Sequence, residues 1–223
     1  MDLFGNLFYI IYNMKKYDLY LFDFDGTLLD TMPALEYVFQ TSYRNIGIDF
    51  DIKDTPHFSR IPLEDGYKIM KANPKRYKEF CGYIADTLDS DVSLHSNHFY
   101  PESKEFFDYL RKHRIKAGIV TSNREKHVKD VLNIMKVPLE TFCVYIGRQQ
   151  YFNPKPHPEP ILTTLKHLGY SGPLDKVLYV GDGLNDTISA NEAGVDAALI
   201  DRYEEFGDSN KYIRIKNLMD LFR

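Results

Sequence analysis

The sequence has few of the features that mark secreted, membrane or nucleic-acid-binding proteins. Only two cysteines, Cys81 and Cys143, are present, and they form no metal-binding spacing. We therefore expect two buried, unpaired thiols and a reducing, cytoplasmic setting. The net charge of −4 predicts no large cationic surface, so we expect no nucleic-acid partner. No apolar run is long enough to span a bilayer, and we expect no membrane partner.

The composition of the chain is that of a globular protein. It has 223 residues, of which 43% are hydrophobic and 27% are charged. These values suit one large domain, or one domain with a smaller insert. Residues 1–13 contain apolar residues but lack the basic start and cleavage site of a signal peptide. We expect them to be an extension outside the main fold, which either docks on the surface or reflects an early start codon.

Predicted helices and strands alternate after residue 101. Their order is Glu102–Lys112, Ile115–Thr121, Glu125–Met135, Phe142–Ile146, Pro158–Leu168, Val177–Val180, Asp186–Ala193 and Ala197–Ile200. Together with an apolar strand at Tyr17–Phe24, this alternation predicts an α/β fold with a Rossmann-like parallel sheet sandwiched by helices. Sheets of this kind bind ligands at the carboxyl ends of their strands.

A long insert separates the first two predicted strands. Residues 26–120 lie between Asp25 and Thr121, whereas a crossover between parallel strands needs only about a dozen residues. The insert contains two predicted helices, Leu63–Ala72 and Pro74–Leu88. We therefore predict a core of residues 14–31 and 100–223, with a small helical cap domain at 32–99 that overhangs the end of the first strand.

Polar residues stand at the ends of four predicted elements. They are Asp23 and Asp25 after the first strand, Thr121, Ser122 and Asn123 after the second, Lys155 in a proline-rich loop, and Asp182 and Asp186 after a later strand. Taken singly, such residues are usually turn formers, helix caps or solvated charges. Their shared placement at strand ends predicts that they meet in one site.

The chemistry of these residue types suits phosphoryl transfer. Converging carboxylates repel one another and raise their pKa values, and Mg²⁺ removes this conflict. Asp23 and Asp182 are the first choices for side-chain metal ligands, and one carboxylate can then attack phosphorus. Lys155 would hold Asp23 ionised, while the Thr121 hydroxyl and backbone N–H groups near Ser122 would bind phosphate oxygens.

Four short motifs carry a family resemblance. The segments DFDGT, TSN, KPHPEP and GDGLND resemble, in order and spacing, the four motifs of the haloacid dehalogenase superfamily of phosphohydrolases. The resemblance covers residues 17–200, and within it the branch of phosphoglycolate phosphatase and β-phosphoglucomutase is the nearest. It also implies that the helical insert is the family's cap.

The resemblance assigns roles residue by residue. Asp23 would be the nucleophile, and Asp25 would be the general acid and base that also offers its carbonyl to Mg²⁺. Asp182 would bind the metal, with Asp186 supporting it directly or through water. Thr121, Ser122, Asn123 and Lys155 would bind phosphate.

Several positions bear on which reaction of the family the chain catalyses. An acid at Asp25 favours hydrolysis of a phosphomonoester, or a mutase. A mutase is disfavoured because Thr27 stands where sugar phosphomutases often carry Val, and Leu63 stands where they carry an Arg. Arg60, in the loop of the insert, is either a substrate contact or a solvated side chain.

We therefore predict a Mg²⁺-dependent phosphatase, a monomer or homodimer, that acts on a small phosphorylated metabolite through an aspartyl-phosphate. A sugar phosphomutase, a pyrophosphatase and a catalytically silent binding module remain as alternatives.

Overall fold

The computed structural model describes residues 16–222 and divides them into two compact units. The larger unit comprises residues 16–28 and 99–222, and the smaller comprises Leu29–His98. The expectation for residues 1–13 lies outside the described residues. The predicted range for the insert is 32–99, and short strands at Leu29–Asp30 and His98–Phe99 lie near the ends of the smaller unit. Its role as a cap stays a prediction.

The larger unit contains a parallel sheet of six strands. These are β1 (Leu19–Phe22), β2 (Ala117–Val120), β3 (Val144–Ile146), β4 (Val177–Gly181), β5 (Asp196–Ile200) and β6 (Ile213–Ile215). Their order across the sheet is β3-β2-β1-β4-β5-β6. This order is that of a Rossmann fold, and it confirms the predicted fold class. The strand β6 was not predicted, because it is a short edge strand with Arg214 at its centre and Ile213 exposed.

The central strand β1 is flanked on both sides, by β2 and β4. Phe22, its last residue, is in register with Ile119 of β2 and with Val180 of β4. All residues of β1 are buried, as are those of β2 and β4, which explains their continuous apolar composition. The carboxyl ends of these three strands therefore lie side by side, and the chain becomes polar where each of them ends.

Helices cover the sheet and lie close to their predicted positions. In the larger unit they are Ser103–Lys112, Glu125–Ile134, Glu159–His167 and Leu184–Glu192. Each of them follows or precedes a strand of the sheet, as the alternating pattern predicts. In the first helix, Phe106, Phe107 and Leu110 are all buried, whereas the buried residues of Leu184–Glu192 are mostly small or polar and include Asp186.

The smaller unit is helical. Its helices are Met32–Asn45, Thr55–Phe58, Leu63–Ile69, Tyr77–Leu88 and Asp91–Ser96. Their core is unusually aromatic: the Tyr43 and Phe50 rings stack with centroids 5.2 Å apart, and Phe80 lies 4.6 Å from Tyr43. Aromatic side chains bury a large area for each residue, which suits a unit built from such short helices. Within residues 16–222, no helix has both the length and the apolar character needed to cross a membrane.

Asp30, rather than Thr31, caps the helix Met32–Asn45, and the expectation that both thiols are buried was wrong. Thr31 precedes the helix Met32–Asn45, but its side chain makes no capping hydrogen bond. Instead, Asp30 Oδ1 accepts from the Met32 N–H at 3.1 Å, because a carboxylate two residues earlier reaches this amide. The cysteines are free, but Cys81 is only half-buried and Cys143, just before β3, is exposed.

Substitution of two phenylalanines of the larger unit, one buried and one exposed, should lower the stability of the fold to very different extents. Phe106 is fully buried, and its ring lies 5.2 Å from that of Phe22. We expect Phe106→Ala to lower the free energy of unfolding by about 3–5 kcal/mol, because it leaves a cavity in a packed core. Phe152 is 89% exposed and provides a matched control. Phe152→Ala should change stability by less than about 0.5 kcal/mol. Urea denaturation of both variants measures the free energy of unfolding. Equal decreases in the two variants would contradict the assignment of Phe106 to the core.

Candidate active site

The site begins where β1 ends. The Asp23 N–H still donates to Val180 O of β4 at 2.9 Å, so the nucleophile candidate is held in the sheet register. Asp23 is buried, with 6% of its surface exposed, whereas Asp25 is partly exposed. A turn follows in which Leu28 N–H donates to Phe24 O at 3.0 Å. The apolar residues of this segment therefore anchor a loop whose acids face the end of the sheet.

Gly26 brings this loop against the loop that follows β4. Its φ of +80° favours glycine, and a Cβ atom built at this position would lie 2.2 Å from Asp182 Oδ2. The Thr27 hydroxyl reaches the same carboxylate and donates to Asp182 Oδ1 at 3.4 Å. The glycine and threonine of DFDGT thus allow the two acidic loops to meet.

Lys155 lies among the acids. Its ammonium donates to Asp23 Oδ1 at 2.5 Å and to Asp186 Oδ1 at 2.7 Å, and only 7% of its side chain is exposed. A third contact, at 3.1 Å, goes to the hydroxyl of Tyr179, a fully buried residue of β4. The same hydroxyl lies 3.0 Å from Val120 O, to which it donates. Lys155 is therefore held by residues from the end of β1, from β4 and from the helix that follows β4.

A carboxylate orders the loop that carries Lys155. Glu159, the first residue of its helix, accepts from Phe152 N–H at 2.8 Å and from Asn153 N–H at 3.0 Å. These bonds satisfy backbone donors that belong to no strand or helix. Glu159 therefore stabilises the backbone of the loop just before Lys155.

Burial dominates the electrostatics of the charged pair. It raises the pKa of Asp23 well above its usual range, although the charge of Lys155 opposes this shift. For Lys155, burial acts to lower the pKa, but the charges of Asp186 and Asp23 outweigh it and raise the pKa well above its usual range. The ammonium thus stays protonated, while the carboxylates would be better stabilised by a further cation.

Asp25 faces the residues that follow β2. Thr121 Oγ1 donates to Asp25 Oδ2 at 3.3 Å and accepts from Asn123 N–H at 2.9 Å. Burial raises the pKa of Asp25. Hydrogen bonds from Thr121 and Asn123 oppose this shift, as do the charges of Lys155 and of the His127 ring when it is protonated. Asp25 is therefore placed to hold a proton and to release it.

Three carboxylates can converge on a metal ion. One oxygen atom from each of Asp23, Asp182 and Asp186 lies within 4.8 Å of the other two. Burial, followed by the charge of Asp186, raises the pKa of Asp182 to about 6. Only oxygen donors are present, as a hard cation such as Mg²⁺ prefers, and a cation would relieve the repulsion among them. The residues therefore fit a magnesium site.

Two of the candidate residues lie apart from this cluster or in the other unit. Ser122 is exposed, and its hydroxyl lies against the phenol of Tyr151. Arg60 is exposed on the smaller unit, between the helices Thr55–Phe58 and Leu63–Ile69. The sequence analysis missed Tyr179, which it treated as part of an apolar strand. A buried tyrosine hydroxyl needs a partner, and this need was the available signal.

Comparisons with known proteins identify relatives of this chain. The family profile described as haloacid dehalogenase-like hydrolase matches residues 20–200. A pyrophosphatase PpaX from Oceanobacillus iheyensis is 27% identical over 81% of this chain and 81% of its own length. A phosphoglycolate phosphatase from Photorhabdus laumondii is 28% identical over 84% of this chain and 82% of its own.

Solved structures show the same fold. A haloacid dehalogenase-like family hydrolase from Streptococcus pneumoniae superposes with a TM-score of 0.75 at 20% identity. The superposition covers 92% of this chain and 97% of that one. The predicted resemblance to this group, and to its phosphoglycolate phosphatase branch, is confirmed. Since the family profile spans most of the sequence, the chain belongs to the haloacid dehalogenase-like hydrolases and is an enzyme whose relatives are named as phosphatases.

Proposed function

We propose that the protein is a magnesium-dependent phosphatase that hydrolyses a small phosphomonoester through an aspartyl-phosphate on Asp23. The observation that carries this proposal is the contact of the Lys155 ammonium with Asp23 Oδ1, at 2.5 Å, beside a second acid, Asp25, that can exchange a proton. A buried carboxylate paired with a cation, next to an acid and base, is what transfer of a phosphoryl group to a side chain requires.

In the first step, a carboxylate oxygen of Asp23 forms a bond to phosphorus while the bond from phosphorus to the ester oxygen breaks. Asp25 donates its proton to the departing alcohol oxygen. The raised pKa of Asp25, which burial causes, favours the protonated form that this step needs. The Lys155 ammonium and the Thr121 hydroxyl would bind the phosphoryl oxygens in place of some of their present partners.

In the second step, water attacks the phosphorus of the aspartyl-phosphate. Asp25, now ionised, takes a proton from this water as the bond forms. The bond between phosphorus and Asp23 then breaks, which releases inorganic phosphate and restores the Asp23 carboxylate. Asp25 ends protonated, ready for the next substrate, so protons and charge balance over the cycle.

The metal site would consist of Asp23, Asp182 and the Asp25 carbonyl, with Asp186 as a direct or water-mediated ligand. When bound, Mg²⁺ supplies positive charge that offsets the negative charge of the phosphate and of the acids. Gly26 and Thr27 hold the Asp182 carboxylate against the loop of Asp23 and Asp25. Lys155 keeps Asp186 oriented towards the same point.

The names of the relatives suggest a short phosphorylated acid such as phosphoglycolate as the phosphomonoester, with pyrophosphate, which is an anhydride, as the alternative substrate. We propose that the smaller unit is the cap that selects between them. Hydrolysis is favoured over mutase chemistry because Leu63, which begins a helix in that unit, offers no anchor for a second phosphate. Free thiols at Cys81 and Cys143 support a reducing compartment, and we propose the cytoplasm.

We expect Asp23→Asn to abolish hydrolysis of p-nitrophenyl phosphate, lowering kcat by about 10³-fold or more, because an amide cannot act as the nucleophile. Asp30→Asn is a matched control from the same segment. Its amide oxygen can still accept the Met32 N–H that Asp30 now accepts. Steady-state kinetics of both variants tests this prediction. Retained activity in Asp23→Asn would refute the assignment of Asp23 as the nucleophile.

Removal of divalent cations should stop turnover reversibly. We expect dialysis against EDTA to abolish hydrolysis and added Mg²⁺ to restore it, because the single charge of Lys155 cannot offset three carboxylates. Binding of Mg²⁺ should also raise the Tm of the wild type, and less so in Asp182→Asn. Full activity after exhaustive chelation would exclude the metal site.

Arg60 provides a test of substrate selection by the smaller unit. With 2-phosphoglycolate and inorganic pyrophosphate as probes, we expect Arg60→Ala to raise KM for the preferred one about tenfold, a loss of about 1.4 kcal/mol. KM for p-nitrophenyl phosphate should not change, because that substrate lacks a second anionic group. Lys53→Ala, which removes another exposed cation of the same unit, is the control. Equal effects on all three substrates would argue against a substrate contact.

A further inference from the structure

A second arginine holds the backbone of the DFDGT loop. Arg202 stands just after β5, and only 11% of its side chain is exposed. Its Nη1 donates to Gly26 O at 3.0 Å, and its Nη2 donates to Thr27 O at 2.9 Å. The family motifs do not include Arg202, and the sequence analysis did not single it out.

The guanidinium itself is fixed from two further directions. Nη2 and Nε donate to Glu102 Oε1 at 2.8 and 3.2 Å, and that carboxylate is also nearly buried. One face of the group lies over the Tyr100 ring, 3.5 Å from its centroid. A planar group held at its edges and on one face loses little further freedom when it binds the loop. Arg202 therefore acts as a rigid donor.

The loop needs such a donor. Gly26 has the left-handed backbone conformation, and glycine is the residue with the greatest conformational freedom. The next carbonyl, Leu28 O, is bound by Ser103 Oγ at 2.8 Å. The carbonyl groups of Gly26, Thr27 and Leu28 thus each accept a hydrogen bond from a side chain. None of the three residues lies within a helix or a strand of the main sheet, so no regular secondary structure binds these carbonyls.

Two functional contacts depend on this backbone. Asp25, immediately before Gly26, accepts from Thr121 at 3.3 Å, and Thr27 donates to Asp182 at 3.4 Å. Both of these hydrogen bonds are long, so small shifts of the loop would break them.

We propose that Arg202 is a positioning residue for phosphoryl transfer, which fixes the Gly26 and Thr27 carbonyls so that Asp25 and Asp182 face the phosphoryl group. This inference rests on the proposed function, and it adds a residue that acts only through the backbone of the loop. It predicts that loss of Arg202 lowers kcat while KM changes little, because the chemistry rather than the affinity depends on the position of Asp25.

The test uses variants that separate positioning from folding. Arg202→Met alone would leave Glu102 as a buried, unpaired carboxylate and could destabilise the fold, so it is combined with Glu102→Gln. Glu102→Gln alone keeps both donations from Arg202 to the loop. Arg76→Met is the matched control, because Arg76 also pairs with a carboxylate, Glu79, and donates to a backbone carbonyl, Ile46 O at 2.8 Å, in the smaller unit.

Steady-state kinetics and hydrogen exchange measure the effects of these variants. For p-nitrophenyl phosphate at saturating Mg²⁺, we expect Arg202→Met/Glu102→Gln to lower kcat about 10–100-fold, the range seen when supporting groups around a site are lost. Glu102→Gln and Arg76→Met should stay near the wild type. Hydrogen exchange of a peptide that spans residues 23–29 should become faster in the double variant and remain unchanged in the two controls.

A folded double variant with wild-type kcat, or with wild-type exchange in residues 23–29, would overturn the inference. The exchange measurement does not require turnover, so it still judges the Arg202 contacts if the wild type hydrolyses no phosphate ester. An inactive wild type would refute the proposed function, whereas an unchanged double variant would refute only the role of Arg202.

Discussion

The Lys155 ammonium lies between the carboxylates of Asp23 and Asp186, and all three side chains are nearly removed from water. Burial of one such charge without a partner would be strongly unfavourable, whereas the group of three offsets most of that cost. Adding Asp182 gives three carboxylates to one ammonium within a small volume. This excess of negative charge supports the proposal that a further cation binds at this edge of the sheet.

The order of the strands explains why these charges meet. Since β1 lies between β2 and β4, the ends of three parallel strands bring Asp23, Thr121 and Asp182 together although they are far apart in the chain. A ligand at this edge faces backbone and side chains from all three strands. The apolar composition of the strands places the edge, and the polar residues that follow each strand give it its chemistry.

Around this group, other residues act only by holding the main ones in place. Tyr179 and Glu159 keep Lys155 and its loop in position. Gly26 leaves the space that Asp182 occupies, and Arg202 binds the carbonyls of the turn. Precise placement of reacting groups accounts for much of the rate of phosphoryl transfer, so under the proposed function these residues would contribute to the rate by holding other groups in position.

The sequence by itself determined the family, the alternating α/β pattern and the acids of the site. Such features depend on local composition and on the order of short motifs, which remain visible along the chain. Only the tertiary structure decided that Lys155 pairs with both Asp23 and Asp186, and that Arg202 reaches the DFDGT turn. These contacts join residues from separate strands and loops, so no local pattern encodes them. They follow from which strands are neighbours and from how far each side chain extends into the shared edge.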